Sequence, residues 1–305
     1  MRTALVASVC LAPIHSLHAE TLPVRGIYPA MNDEAAALDA IAIESFGGTD
    51  GQAIGIAAGD ILRAVRIGGE PWFRVVPASA RSDAGAVLQG IASSESRRRD
   101  SGTRDKEVCV ERDEDRNKCI REEKRKVPCW NMVVRIEPRI RLVTTDGQLV
   151  YAIDDGREAS RRFCEGDDRP SRDNMLSELT DGIAKQIRDD LAPVERLENI
   201  RVMESRSGLQ GGDRNAFRDA VRLTKRDRAG ACAAWAALET ANPENVSVLF
   251  NLGLCAESEG DLEVAGGYYR RALMNDTRAN YPAQGMDRLE ARYRAQAQLD
   301  AHYGN

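Results

Sequence analysis

Apolar residues recur along the chain in distinct rhythms, and each rhythm predicts a different element. Val134, Ile136, Pro138, Ile140 and Leu142 alternate with Arg135, Glu137, Arg139 and Arg141. A period of two puts one set on a buried face and the other in water, which predicts a half-buried strand. Asp146-Gly147 follows as a two-residue hairpin turn. Counting outward from that turn places Tyr151 opposite Leu142 and Ile153 opposite Ile140, apolar on apolar, so the register is self-consistent. The same count brings Cys129 opposite Cys164, at a separation a disulfide can bridge.

A helical rhythm appears twice in the first two-thirds of the chain. Leu176, Leu179, Ile183, Ile187 and Leu191 form a stripe that starts after Ser171, a candidate N-cap, and stops at Pro193. Ile54, Ala58, Ile61 and Val65 predict a shorter helix, ended by Gly68-Gly69. Leu38–Phe46, Trp72–Pro77 and Ala86–Ala92 read as strands, and Asn199–Met203 as an edge strand. Glu20–Ala37 reads as an extended lead-in.

From Ser93 to Val127 the apolar rhythm gives way to a charged run. Between Arg97 and Lys126 both signs are interspersed and aromatics are absent, the pattern of a solvated projection. A phosphate-binding arm would need a basic excess that the aspartates and glutamates cancel. Cys109 and Cys119 flank Asp113-Glu114-Asp115 evenly, so a hairpin centred at Glu114 would face them and bring Leu88 opposite Ile140. The expected disulfides are therefore Cys109–Cys119 and Cys129–Cys164. Trp130 would cover the second.

In the last third, Leu249, Leu252, Gly253, Gly260, Ala265, Tyr269 and Ala272 fit a helix–turn–helix repeat, and the 34-residue period carries Ala265 and Tyr269 back to Ala231 and Trp235. Pro243 then closes the first copy, while Thr277 stands where a proline would close the second. This resembles a pair of tetratricopeptide repeats, Gly212–Asn245 and Val246–Ala279. The first copy departs from the pattern in lacking the leading leucine and glycine. The resemblance implies binding through a repeat surface, with Phe217, Leu223, Phe250, Asn251 and Leu254 as candidate lining of a concave groove. The other reading is that two repeats give too short a groove and that those side chains pack on the first domain or on the capping tail. Cys232 and Cys255 fall on neighbouring helices and form the remaining pair, and Tyr281–Tyr303 reads as a polar capping helix.

Composition narrows the setting. The chain has 305 residues, 42% of them hydrophobic and 30% charged, with a net charge of −5, which argues against a general nucleic-acid binder. Arg2, an apolar run over Ala4–Ile14 and Ser16-Leu17-His18-Ala19 predict a secretory signal peptide at residues 1–19, too short to span a bilayer. A lipid anchor at Cys10 is disfavoured by the bulky Val9 before it. Without that leader, six cysteines remain, an even count that suits an oxidising compartment. His302 would be the sole histidine, placed in a frayed tail and poorly suited to catalysis or metal binding.

The expected fold is α+β: a mixed sheet with packed helices and long hairpins over 20–204, a linker over 205–211, and an all-α tetratricopeptide-like repeat domain over 212–305. The layout of Ile41–Gly48, Pro71–Pro77, Ala86–Ala92 and the Ile183–Pro193 helix end resembles the amino-terminal-TolB-like and curli-secretion-channel-like envelope domains. That resemblance implies a non-enzymatic role with protein partners. The charged insertion departs from the lipid-facing alternation a channel would need.

The expected function is an exported periplasmic interaction scaffold that binds envelope proteins, with no catalytic residue, metal or cofactor, and no membrane-spanning segment in the mature chain. A homo-oligomer is compatible with this. The rival readings are a sensor or soluble subunit of a secretion or cell-wall complex, acting through the α/β domain, and a hydrolase using Glu137 and Glu158. The turn Gly47-Gly48-Thr49-Asp50-Gly51 lacks the lysine of a phosphate loop, and reads as structural. The acidic stretch from Glu111 to Asp115 lacks calcium-loop spacing.

Overall fold

The computed structural model describes residues 20–113 and 118–304. The expected leader at residues 1–19 and the hairpin centre at Glu114 lie outside the described residues. In chain order the first elements are β1 (Thr21–Tyr28), α1 (Asp33–Ala36), β2 (Ala40–Ile43), α2 (Gly51–Ala64), β3 (Arg66–Ile67), β4 (Glu70–Pro71) and β5 (Arg74–Pro77). A 3-10 stretch, Ala78–Asp83, leads to β6 (Ala86–Asp113), β7 (Lys118–Thr144), β8 (Leu149–Ile153) and β9 (Arg157–Cys164). Then come α3 (Arg172–Leu191), β10 (Val194–Arg201), α4 (Gly211–Leu223), α5 (Arg228–Ala241), α6 (Val246–Glu259), α7 (Leu262–Asn275) and α8 (Asn280–Tyr303).

Two compact units result. Of the described residues, the sheet unit takes 27–195 and 292–304, and the helical unit takes 196–291 with 20–26. Among the described residues no helix is long and apolar enough to cross a membrane.

The sheet unit is built on a mixed six-stranded sheet in the order β5-β2-β6-β7-β8, with β9 also paired to β7. β2 runs parallel to β5 and β6, and the β7 pairings are antiparallel. Alternation explains the layering. Ile41, Leu88, Ile136, Ile140 and Leu142 are buried in one cluster with Ile54, Ala58 and Leu62 of α2 and Ile183, Ile187 and Leu191 of α3. Each leucine or isoleucine among them contributes about 1.5–3 kcal/mol by leaving water. Ser171 caps α3 by accepting the Asn174 N–H, and the helix ends at Leu191, before Pro193.

β8 keeps the register that the Asp146-Gly147 turn predicts, with Ile140 opposite Ile153 and Leu142 opposite Tyr151. On the other segment of β7, Cys129 stands opposite Cys164, and the two are disulfide-bonded. Trp130 packs beside Phe163, with the Arg98 guanidinium 4.9 Å from its ring centre. The charged run forms the long β6–β7 hairpin. Its register differs from the expected one: Leu88 faces Leu142, and Ile140 faces Gly90. The offset is already present where Asp113 faces Lys118, and the bulges between Asp100 and Thr103, around the positive-φ Gly102, and between Cys109 and Arg112 shift it locally by one residue. Each bulge adds an unpaired residue to one strand. Cys109 and Cys119 are bonded even so, across an offset pairing with Cα atoms 5.7 Å apart.

Two further expectations are corrected. The lead-in is not merely extended, because β1 and β10 form a two-stranded sheet and Asn32 caps the short α1. The tail is not frayed either. His302 is 9% exposed and stacks on Trp72 with ring centres 3.8 Å apart, while Gln298 bonds both the N–H and the carbonyl of Ala30. The tail looks polar in sequence because a glutamine and a histidine occupy inward positions of α8.

Candidate functional site

The helical unit holds the binding residues expected from the sequence. Its helices are set by local signals. Asp227, Asn245 and Asp261 cap α5, α6 and α7 through their side chains, and Gly260 ends α6 in the left-handed conformation at φ 90°. α6 is buried along one unbroken run from Ser247 to Glu257. Helices α5 and α7 pack against it from either side. Positions 34 residues apart are alike in burial, since Ala231 and Ala265, like Trp235 and Tyr269, are all 0% exposed. A disulfide joins Cys232 of α5 to Cys255 of α6.

The expected groove is closed. Phe217, Phe250, Asn251 and Leu254 are each 0% exposed, and Leu223 is half-buried. The covering comes from the same chain. Leu22 and Val24 of β1, Ile200 of β10, and then Val202, Met203 and Leu209 pack in one apolar cluster with Phe217, Phe250 and Leu254. Asn251 supplies the polar recognition. Its Oδ1 accepts the Met203 N–H at 2.8 Å and its Nδ2 donates to the Met203 carbonyl at 3.0 Å. Asn245 adds a bond from Nδ2 to the Ser207 carbonyl at 2.8 Å. These residues therefore face the chain's own segment rather than an open surface. The sequence could not show this, because the segment lies 48 residues from Asn251.

A second polar group escaped the sequence reading. Glu257 is 0% exposed, and Arg288 grips it from Nε to Oε1 at 3.0 Å and from Nη2 to Oε2 at 2.7 Å. The Tyr269 hydroxyl donates to the same carboxylate at 2.6 Å. Burial, then the neighbouring Glu257 charge, raises the Tyr269 phenol well above its ordinary range. The available signal was a lone glutamate on the buried face of an apolar helix. A cavity of about 390 Å³ opens beside Arg288, lined also by Asn199, Arg201, Tyr281 and Gln284. A larger one, about 630 Å³, runs between Met203, Ser205 and Ser207 on one wall and Glu244, Asn245 and Asp276 on the other.

In the sheet unit, Glu137 and Glu158 lie on the sheet face that α2 and α3 leave uncovered, with side chains 51% and 38% exposed. Arg135 pairs with Glu137 at 2.5 Å and stands opposite Glu158, and Arg97 reaches Glu158 at 3.5 Å. A cavity of about 300 Å³ takes in Glu137 and Arg139, and Glu158 is not part of its wall. The glycine turn is a packed corner. A Cβ at Gly48, where φ is 82°, would meet the Ala92 carbonyl at 2.2 Å. Burial acts to raise the Asp50 carboxyl, but hydrogen bonds from Thr49 and Ser94 and the charge of Arg172 hold it below its usual range. Among the described residues no cluster of three or more histidine, cysteine or acidic side chains is arranged to hold a metal.

No protein-family model and no curated protein sequence matches the chain. Among solved structures, a PelC dodecamer from Paraburkholderia phytofirmans is similar at 17% identity, over 54% of this chain and 97% of its own, with a TM-score of 0.23. A leucine-to-methionine variant of that dodecamer gives 17% identity, 56% and 98% coverage, and a TM-score of 0.24.

Proposed function

We propose that this protein is an exported interaction scaffold of the cell envelope, with α4–α7 acting as two tetratricopeptide repeats. The observation that supports the reading best is the repeat-related packing: Ala231 with Ala265, and Trp235 with Tyr269, fill the same buried roles one repeat apart. Small residues there let paired helices approach, and the aromatic plates fill the seam to the next helix. Three disulfides favour an oxidising compartment, and the periplasm is the one this reading assigns. The sheet unit then serves as an amino-terminal-TolB-like envelope domain, and the protein partners are other envelope proteins.

The test is photo-crosslinking in intact cells from positions on the exposed surface of the repeats. Met274, 80% exposed on α7, is the first choice. The expected outcome is a discrete set of envelope proteins captured there. Thiol labelling of the same cells should find all six cysteines blocked until a reductant is added. Free thiols in freshly lysed cells would remove the assignment to an oxidising space.

A further inference from the structure

The buried polar face of α6 is built to hold a peptide backbone. Asn251 is 0% exposed, and the partners of its amide are the N–H and carbonyl of one residue, Met203. Main-chain bonds of this kind read the shape of an extended chain and leave its side chains unread. Specificity is left to apolar anchors. Val202, 0% exposed, and Leu209, 2% exposed, fill the cluster at the two ends of the segment. Between them Glu204, Ser205 and Arg206 are not sunk into the cluster, and Met203, Ser205, Ser207 and Gly208 line the 630 Å³ cavity. From Val202 to Gln210 the chain belongs to no strand or helix. It is held by Asn251 and Asn245, as a bound peptide would be, and it closes on a turn in which Gly208 has φ 80° and the Leu209 N–H donates to the Arg206 carbonyl.

We infer that the inner face of the helical unit is a peptide-binding surface filled in cis by Val202–Leu209. The matching external partner is a peptide with one aliphatic anchor at its start, a tight turn before its end, and a second aliphatic anchor seven residues on. The inference rests on the repeat-surface reading above. A tethered segment competes at an effective concentration on the order of millimolar. External peptide at micromolar levels therefore gains access only when the tethered segment is weakened.

Met203→Pro weakens it without altering a helix, because proline lacks the N–H that Asn251 accepts. The probe is a fluorescein-labelled peptide of residues 199–209 of this chain, titrated by anisotropy into the full-length protein. The M203P protein should bind it at least tenfold more tightly than the unsubstituted protein does. Adding Asn251→Ala to M203P should remove that gain. Amide exchange of the unsubstituted protein supplies an independent measurement: Met203 should open more readily than the amides in the middle of α6.

Equal binding by the unsubstituted and M203P proteins overturns the inference. So does exchange of Met203 and α6 in one cooperative opening, or loss of the helical signal in M203P, since the segment would then be part of the folding core. Peptide binding without any captured envelope protein would leave this inference standing and sink the scaffold reading. A captured partner without peptide binding would do the reverse.

Discussion

Gly253 on α6 lies flat against the ring of Tyr269 on α7, so close that a Cβ there would stand 2.5 Å from the ring edge. The opposite edge of the same ring is held by Gly285, where a Cβ would come within 2.7 Å. Tyr269 is 0% exposed and has nowhere to move.

Gly253→Ala should therefore destabilise the helical unit by about 1–3 kcal/mol through overpacking, more than the gain of about 1 kcal/mol in helix propensity. Gly267→Ala on α7 is the control. Nothing lies within 4 Å of its added methyl, so it should be neutral or stabilise slightly. Urea melts followed by far-ultraviolet dichroism compare the two.

Arg288→Met leaves the Glu257 carboxylate buried without its main counter-charge. The expected loss is about 3–5 kcal/mol, with partial recovery in the double variant Glu257→Gln, Arg288→Met. A double-mutant cycle on the same melts measures the coupling. A cost near that of an exposed ion pair would mean the site is wetter than the geometry shows.

Removing the Cys129–Cys164 bridge with paired alanines should cost about 2–4 kcal/mol, since it closes a separation of 35 residues and lies buried at the base of β9. Removing Cys109–Cys119, which closes a separation of 10 on the exposed hairpin, should cost less. Thermal unfolding of the two double variants ranks them.

His302→Ala should lower the stability of the sheet unit by about 1–3 kcal/mol, by removing a ring stacked on Trp72. The emission spectrum of Trp72 should shift at the same time, because one face of the indole loses its cover. No change in either readout would return His302 to a frayed tail.

Acid should weaken the sheet unit in a defined window. The Asp33 carboxyl is held below its usual range, first by the Gln298 amide and then, against a small burial effect, by Arg294. A depressed folded-state pKa stabilises above the unfolded value of about 3.9, and the contribution is lost as pH falls through that region. Asp33→Asn should lower the melting temperature at neutral pH, where the contribution is full, and leave the acid end little changed, so that the pH profile flattens.

Much of the architecture was readable because it follows from short-range pattern. The alternation through Val134–Leu142 and the Asp146-Gly147 turn are local, and they sufficed to place Ile153 on Ile140 and Cys164 on Cys129. The β6–β7 hairpin was harder, because a pattern broken by charge has no apolar alternation to fix its pairing, and the register is already offset where Asp113 faces Lys118. Between the two readings of the candidate groove, the pattern could not choose for a related reason. Apolar periodicity says that Phe217, Phe250 and Leu254 must be covered, and it does not say by what.

The sequence by itself determined the α+β character, the helix and strand periods and the cysteine arithmetic, since each depends on residues within a few turns of one another. Long-range packing alone placed Leu22, Val24, Val202 and Leu209 in one cluster with Phe217 and Phe250, turned the Asn251 amide to Met203, and stacked His302 on Trp72. Those contacts join residues far apart in the chain. Hydrogen-bond satisfaction in a closed interior selects them, and no local rhythm of apolar and polar positions encodes that choice.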